Sequence, residues 1–179
     1  MGKISVSMYV TLDGMMDDPS WTTDFWNDEL SDFQGKVFNS ADALLLGRVT
    51  YEGMSVAWPQ MEEAGEEGAA EFNAIPKYVP TATLKEPVWN ATFIKENFIE
   101  EVTKLKRETG QHLLIYGSGQ MMRSLMEHNL IDEYHLIVCP IVLGKGQRLF
   151  TEQSERRLKL KDVKTTATGV ALLSYQASE

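Results

Sequence analysis

The chain has 179 residues, of which 43% are hydrophobic and 24% charged, and its formal net charge at pH 7 is −9. This size and composition exclude extended disorder and predict a single domain spanning residues 1–179 with a core of its own. The acidic balance argues against nucleic acid as a partner, because binding a phosphate backbone needs a basic surface, whereas an anionic cofactor needs only a few local cations and helix N-termini.

The first half of the chain predicts a βαβ unit. Apolar residues alternate with small or polar ones in a first strand that ends near residues 12–14, and the alternating residues are Ile4, Val6, Met8 and Val10. From Asp24 onward, apolar residues recur at the spacing of one helix face, at Trp26, Leu30, Phe33 and Val37. The short apolar run 43–46 predicts a strand covered on both faces.

The second half continues with alternating elements. The acidic stretch 60–70 predicts a solvated loop or a short exposed helix. Further strands are predicted over residues 77–79, 88–93, 112–116, 134–138, 158–165 and 170–175, with helices near Phe98 to Leu105 and Met122 to Met126. The last two strands are joined by a short turn and must therefore be antiparallel. The pattern predicts a three-layer αβα sandwich whose sheet is mainly parallel, with antiparallel C-terminal strands.

The compartment follows from one cysteine and from the absence of long apolar runs. Cys139 lies in the apolar run 136–139 and has no second cysteine to pair with, which predicts a small buried side chain and suits a reducing compartment. The N-terminal residues lack the apolar core of a signal peptide, and no run approaches the ~18 apolar residues of a membrane span. We therefore predict a cytoplasmic protein without membrane association.

Three turns follow predicted parallel strands, where open α/β sheets bind their ligands: residues 12–14, 47–52 and 117–120. Gly47 permits a tight exit from its strand, Arg48 can pair with a phosphate, and Thr50 can cap the next helix or bind an anion. The turn 117–120 offers glycines and amide donors to a pyrophosphate at a helix start. Each turn, taken alone, is equally typical of a purely structural connection.

Taken together, these motifs resemble the dihydrofolate reductase-like superfamily, and above all the stand-alone proteins similar to the C-terminal reductase domain of bifunctional riboflavin biosynthesis enzymes. The segments that carry the resemblance are residues 10–14, 44–52, 76–84, 115–119, 130–134 and 140–150. The paired cysteines of the zinc-deaminase signature are absent, so the chain resembles the reductase module alone. The three histidines His112, His128 and His135 fall in separate elements, and we predict no metal site.

The resemblance implies NADPH as cofactor. It places the adenosine 2′-phosphate among Gly47, Arg48, Thr50, Thr81 and Thr83, and the pyrophosphate among Gly117, Ser118, Gly119, Gln120 and Met121. The chain has Ala82 where these relatives commonly carry a second arginine. NADPH is therefore expected over NADH, with one guanidinium fewer to select it.

Two carboxylates are candidates for catalysis. Asp13 stands at the end of the first strand, beside the nicotinamide that the resemblance implies, although an Asp-Gly pair also forms turns. Glu29 aligns near the substrate-binding acid of dihydrofolate reductases, although it also fits an exposed helix carboxylate. The loop 15–21 corresponds in position to the mobile active-site loop of those enzymes.

The resulting hypothesis is an NADPH-dependent reductase of a small polar substrate, pteridine-like or ribosylaminopyrimidine-like, with a C=N or C=O bond to reduce. The first alternative is a non-catalytic nucleotide-binding sensor or scaffold on the same fold. A phosphate-handling hydrolase is a further alternative, and the antiparallel C-terminal hairpin argues against it. The segment 141–150 resembles a region near the subunit contact of the reductases, which predicts a homodimer.

Overall fold

The computed structural model describes residues 2–178. Its strands are β1 (Lys3–Thr11), β2 (Ala43–Leu46), β3 (Lys77–Pro80), β4 (Ala91–Ile94), β5 (His112–Gly117), β6 (Glu133–Cys139), β7 (Leu158–Thr165) and β8 (Ala171–Ala177). Its α-helices are α1 (Asp28–Asn39), α2 (Arg48–Glu63), α3 (Ala69–Ala74), α4 (Phe98–Lys104) and α5 (Gly119–Glu127). Short 3₁₀ helices cover Pro19–Phe25 and Glu152–Ser154, and a π-helical turn covers Leu105–Thr109.

The eight strands form one sheet in the order β4-β3-β2-β5-β1-β6-β8-β7. The strands from β4 to β6 pair in parallel, whereas β8 pairs antiparallel with both β6 and β7. With helices on both faces, this confirms the predicted αβα sandwich and its antiparallel C-terminal strands. No helix within residues 2–178 has the length and apolar character that a membrane crossing requires.

The alternation in β1 separates two environments. Its apolar residues Ile4, Val6, Met8 and Val10 belong to the core beneath α4 and α5. The intervening residues turn toward α1, where the Ser7 hydroxyl donates to the Gln34 side-chain oxygen at 3.1 Å and the Gln34 amide donates to the Tyr9 hydroxyl at 3.0 Å. The period of two therefore places a row of hydrogen-bonded polar groups on the face that leads to the functional site.

On that second face, α1, α2 and α3 cover the leucines of β2. Leu44 and Leu46 are fully buried and pack with Tyr51 and Phe72. Cys139 is buried at the end of β6, as predicted, and burial raises the pKa of its thiol to about 11. The strand β2 is thus covered on both faces, which explains its unbroken apolar sequence.

Three boundaries differ from the sequence prediction. The first helix begins at Asp28, because the Asn27 side chain accepts the Leu30 amide at 3.0 Å and caps it there; Trp26 lies outside the helix and is 52% exposed. The acidic stretch 60–70 is only partly a loop. Helix α2 runs on to Glu63 and α3 begins at Ala69, so the connection covers residues 64–68. Strand β4 begins at Ala91, after a turn in which Trp89 and Asn90 have positive φ.

A buried lysine supports α3. Lys77 is 1% exposed, and its ammonium donates to the Phe72 and Asn73 carbonyls, both at 2.7 Å, with its nitrogen 4.1 Å from the ring centroid of Trp89. Burial lowers the pKa of Lys77 from 10.5 to about 8. The charged ammonium is therefore costly in the folded state despite these contacts.

We predict that stability contributed by this site rises with pH. Between pH 8 and 10.5 the unfolded chain binds more protons at Lys77 than the folded chain, so folding becomes more favourable as the pH increases. Urea unfolding of the wild type and of Lys77→Met at pH 7.5 and pH 10 should show the wild type gaining about 1 to 3 kcal/mol relative to the variant. A difference between the two proteins that does not change with pH would contradict the prediction.

Candidate functional site

The turns after β1, β2 and β5 meet at one edge of the sheet, since these strands are neighbours and parallel. A cleft of about 760 Å³ opens between the turns after β2 and β5 and the loop 16–19 that follows the β1 turn. Of the predicted cofactor residues, the cleft is lined by Gly47, Arg48, Thr50, Gly117, Ser118, Gln120 and Met121. The loop after β1 contributes residues 16–19 to the opposite wall. The structure thus brings two of the three predicted turns and the predicted mobile loop to the same cavity.

Glycines allow these turns to touch each other. A Cβ on Gly47 would stand 2.7 Å from the Ser118 Oγ and 2.8 Å from the Ser118 backbone nitrogen, and one on Gly117 would stand 2.8 Å from the Thr50 Oγ1. The Gly47 amide donates to the Gly117 carbonyl at 2.8 Å. Sequence analysis assigned Gly47 to a tight exit from its strand, and Gly117 and Gly119 to the approach of a pyrophosphate. In the structure, Gly47 and Gly117 also permit the β2 and β5 turns to pack against each other. At Gly119, the space that a Cβ would take is occupied by the Met16 side chain.

Two helices begin at the cleft. Helix α2 starts at Arg48 and α5 starts at Gly119, with the Ser118 hydroxyl accepting the Met121 amide at 3.4 Å. The first turn of a helix leaves amide donors without intrahelical acceptors and carries a partial positive charge, which suits an anion. The Arg48 guanidinium lies in the same wall, 46% exposed, and donates to the Glu52 carboxylate at 2.7 Å.

The turn after β3 is less directly involved. Thr81 is buried, and its hydroxyl accepts the amides of Thr83 and Leu84 at 3.3 and 3.2 Å, so its oxygen stabilises the turn itself. Ala82 and Thr83 are exposed, and the wall of the cleft is formed by the preceding Pro80. Thr81 and Thr83 therefore stand behind the wall rather than in it.

Asp13 does not line the cleft. Its carboxylate accepts the Thr11 hydroxyl at 2.6 Å, the Gly144 amide at 2.7 Å and the Leu143 amide at 3.3 Å. The hydrogen bonds from Thr11 and from these amides lower the pKa of Asp13, which keeps the carboxylate ionised. This arrangement suits a residue that fixes the turn after β1 against the segment 143–144, and it leaves no proton for catalysis.

Glu29 likewise lies away from the cleft. Its Oε2 accepts the Ala167 amide at 2.6 Å and the Asn27 side-chain amide at 3.0 Å, so it links the start of α1 to the turn between β7 and β8. Glu29 lies in the first turn of α1, whereas the α1 residues that reach the site lie nearer the other end of the helix. Those residues are Gln34, Gly35 and Phe38.

A second cavity, of about 340 Å³, opens beside the cleft. Its wall is mostly aromatic and contains Tyr9, Trp26, Phe38, Trp58, Phe72 and Tyr116. Three residues, Tyr9, Met54 and Tyr116, line both cavities. The two cavities therefore adjoin at these three side chains.

The two tyrosines present hydroxyl groups at this junction. Tyr9 accepts from Gln34 and so keeps its own proton to donate, and Tyr116 makes no side-chain hydrogen bond within residues 2–178. Burial raises the pKa of Tyr9 to about 12, and burial together with the nearby Tyr9 raises the pKa of Tyr116 further. Both hydroxyls stay protonated at neutral pH and can donate hydrogen bonds to a bound substrate.

Sequence analysis missed both tyrosines, although a signal was present. Tyr9 is on the polar side of the β1 alternation, and Tyr116 directly precedes the glycine turn at the end of β5. Aromatic residues at the carboxyl ends of central parallel strands point at the ligand edge of the sheet. The pattern could not show which of these aromatic residues remain uncovered after α1, α2 and α3 pack on the sheet.

The histidines serve packing and pairing. His112 lies between the Ser5 hydroxyl at 2.7 Å and the Ser40 carbonyl at 2.5 Å, and burial lowers its pKa. Within the described part of the chain, no three histidine, cysteine or carboxylate side chains are grouped as a metal site requires. Asp132 accepts the Ile4 amide and Glu133 accepts the Lys3 ammonium, both at 2.8 Å, so these carboxylates hold the start of β6 to the start of β1.

Comparison with protein families gives a match over residues 2–173 to the model described as the RibD C-terminal domain. Two uncharacterized proteins of Bacillus subtilis strain 168 are similar over nearly their whole lengths. YyaP is 29% identical over 176 residues, covering 97% of this chain and 94% of its own, and YwjB is 31% identical over 178 residues, covering 95% of each.

Solved structures share the fold. A Shewanella sp. PV-4 protein assigned to riboflavin biosynthesis superposes with a TM-score of 0.76 at 20% identity, covering 99% of both chains. Dihydrofolate reductase from Enterococcus faecalis, complexed with NADP(H), gives 0.67 at 14% identity, covering 99% of this chain and 98% of its own. The Thermotoga maritima diaminohydroxyphosphoribosylaminopyrimidine deaminase/5-amino-6-(5-phosphoribosylamino)uracil reductase gives 0.66 at 15% identity, covering 99% of this chain and 57% of its own.

Proposed function

The chain belongs to the RibD C-terminal domain family, and from that premise we propose that it is an NADPH-dependent reductase of a small molecule with a C=N or C=O bond. One observation supports this most strongly: the cleft and the aromatic cavity share Tyr9, Met54 and Tyr116 as a common wall. Hydride transfer requires donor and acceptor carbons in contact, and two adjoining cavities at the ligand edge of an α/β sheet provide for that.

In this proposal the cleft holds the dinucleotide. The amides at the starts of α2 and α5 bind its phosphates, and the Arg48 guanidinium pairs with the adenosine 2′-phosphate. When bound, the nicotinamide supplies the hydride. Asp13 and Glu29 become positioning residues, which fix the 143–144 segment and the β7–β8 turn. A cytoplasmic location belongs to the same proposal, since a single buried cysteine, Cys139, suits a reducing compartment.

The chain's own contribution to the reaction comes from the tyrosine hydroxyls. A hydrogen bond from Tyr116 or Tyr9 to the nitrogen or oxygen of the substrate stabilises the negative charge that develops there as hydride arrives at carbon. Because both pKa values are raised, these groups donate hydrogen bonds rather than release protons, and the proton that completes the reduction comes from solvent.

The alternative function is a protein that binds the nucleotide without turning it over. A panel of carbonyl and imine compounds, incubated with the protein and NADPH, separates the two proposals by the loss of absorbance at the NADPH band. Turnover of any member supports the reductase. Saturable NADPH binding without turnover across the panel would instead support the sensor or scaffold.

We expect Tyr116→Phe to lower the turnover number about tenfold while the Kd for NADPH changes little. The variant removes one hydrogen bond that is formed at the reacting centre, and about 1.4 kcal/mol corresponds to a factor of ten. Tyr78→Phe is the matched control, since Tyr78 lies on β3 and lines neither cavity. Equal turnover in the wild type and both variants would remove Tyr116 from the mechanism.

The protein is also proposed to form a homodimer. Apolar side chains in and near the segment 141–150 remain exposed in the single chain, with Val142 at 64% and Phe150 at 38%, and the edge strand β7 exposes Leu160 and Val163. Exposed apolar groups of this kind are typical of an interface between copies. Light scattering at micromolar concentration should give twice the chain mass, and a particle of 20.2 kDa would contradict the dimer.

A further inference from the structure

We propose that the aromatic cavity takes an uncharged, planar, heteroaromatic substrate and excludes the phosphorylated pyrimidine named for the Thermotoga maritima relative. This inference rests on the proposed function, which makes the cavity the substrate site. It concerns what the cavity accepts, and three properties of its wall support it: shape, charge and hydrogen-bonding capacity.

The shape of the wall suits a flat ring. Trp58 stacks on Phe72 with ring centroids 3.9 Å apart and planes at 16°, and Phe38 stacks on the same phenylalanine at 5.3 Å and 22°. Tyr116 is tilted against Phe72 at 5.9 Å. Rings that already pack against each other are held in place before a ligand arrives, so little conformational entropy is lost when a further ring stacks on them.

The charge of the wall disfavours a phosphate. The lining contains no lysine, arginine or histidine, and its one formal charge is the Glu67 carboxylate. An anion that is buried without a cation or convergent hydrogen-bond donors loses its hydration free energy, and no new contact replaces it. Across the linings of both cavities there is one guanidinium, that of Arg48, which lines the cleft and is assigned to the cofactor. A substrate carrying a 5-phosphoribosyl group, such as the one in the name of the Thermotoga maritima protein, finds no cation in this lining for its phosphate.

The hydrogen-bonding groups of the wall select acceptors. Gln34 donates one amide hydrogen to Tyr9 and accepts the Ser7 hydroxyl, so its second amide hydrogen remains. The lining also contains the hydroxyls of Tyr9 and Tyr116 and the indole N–H groups of Trp26 and Trp58, so side-chain groups that can donate outnumber the Glu67 carboxylate, which only accepts. A ring nitrogen or a carbonyl oxygen next to the reducible carbon meets this requirement. In quinoxaline, for example, hydride adds to the carbon of a C=N bond and a proton from solvent adds to its nitrogen, so that NADPH, a proton and quinoxaline give NADP⁺ and 1,2-dihydroquinoxaline.

The test uses calorimetric titration of the full chain, saturated with NADP⁺, with two probes. Quinoxaline should bind saturably at one site per chain, and 5-amino-6-(5-phosphoribosylamino)uracil should give no saturable heat. Gly35→Leu fills the cavity, because Gly35 lies in its wall and a Cβ there meets no atom within 4 Å. This variant should bind quinoxaline at least about tenfold more weakly, the loss expected when about 1.4 kcal/mol of contacts is removed.

Gly53→Leu is the matched control. Gly53 is also a helix glycine with open space around its Cβ, but it lies outside both cavities, so quinoxaline affinity should stay at the wild-type value. Both variants replace a helix glycine by a better helix former and should fold. Binding of the phosphorylated pyrimidine, no binding of quinoxaline, or equal quinoxaline affinity in the two variants would each overturn the inference. Absence of NADP⁺ binding is a separate result, and it would overturn the proposed function instead.

Discussion

Gly47→Ala is expected to lower turnover roughly 100-fold and to reduce the free energy of unfolding by about 2 to 3 kcal/mol. The added methyl would stand 2.7 Å from the Ser118 Oγ and 2.8 Å from the Ser118 backbone nitrogen. The hydroxyl could rotate away, but the backbone nitrogen belongs to the turn that starts α5. The two turns must therefore separate, which also strains the bond from the Gly47 amide to the Gly117 carbonyl.

The separation acts at once on the starts of both helices that are proposed to bind the cofactor phosphates, since α2 begins at Arg48 and α5 at Gly119. Gly53→Ala is the control, because it lies in α2 with no atom within 4 Å of its Cβ and should leave turnover and stability at or above the wild-type values. Steady-state kinetics and urea unfolding of the three proteins measure both effects. If Gly47→Ala behaves like Gly53→Ala, contact between the turns is not what organises the cleft.

Arg48→Ala is expected to raise the Kd for NADPH by about tenfold to a hundredfold and to leave that for NADH nearly unchanged. A charge-assisted bond between a guanidinium and a phosphate contributes roughly 1.5 to 3 kcal/mol. In the structure Arg48 pairs with Glu52, but an exposed pair four residues apart on a helix contributes only about 0.3 to 0.5 kcal/mol. The 2′-phosphate should therefore displace Glu52 at little cost.

Two companion variants sharpen this prediction. Ala82→Arg should strengthen NADPH binding selectively, because Ala82 is exposed in the turn next to the cleft and has room for a second guanidinium. Glu52→Gln should also favour NADPH over NADH, since it removes the carboxylate that competes for Arg48. Fluorescence or calorimetric titration with both coenzymes measures each Kd. Equal losses for NADPH and NADH in Arg48→Ala would show that Arg48 acts on the structure of the turn.

The fold could be predicted from the sequence because its signals are local. The alternation in β1 and the unbroken leucines of β2 follow from the period of side chains along a strand, and the short turn before β8 requires an antiparallel pair. The start of α1 could not be placed by periodicity, since Trp26 fits the spacing of the helix face. The start of the helix is set by the Asn27 side chain, which accepts the Leu30 amide and leaves Trp26 outside the helix.

The candidate site could be predicted in part. The glycine turns and Arg48 were found because strand ends of a parallel sheet converge, and seven of the predicted cofactor residues line the cleft. Asp13 and Glu29 were chosen for their chemistry, but their carboxylates bond backbone amides of residues more than a hundred positions away. The aromatic cavity was not predicted, because it forms between α1, α2 and α3, and helix packing of this kind leaves no local mark in the sequence.

The proposed function requires the cleft to bind a nicotinamide dinucleotide. Calorimetric titration of the wild-type protein with NADPH, and then with NADH, tests it most directly. We predict one saturable site per chain that binds NADPH more tightly than NADH. The absence of saturable binding of either coenzyme would contradict it and, with it, the proposed reductase function.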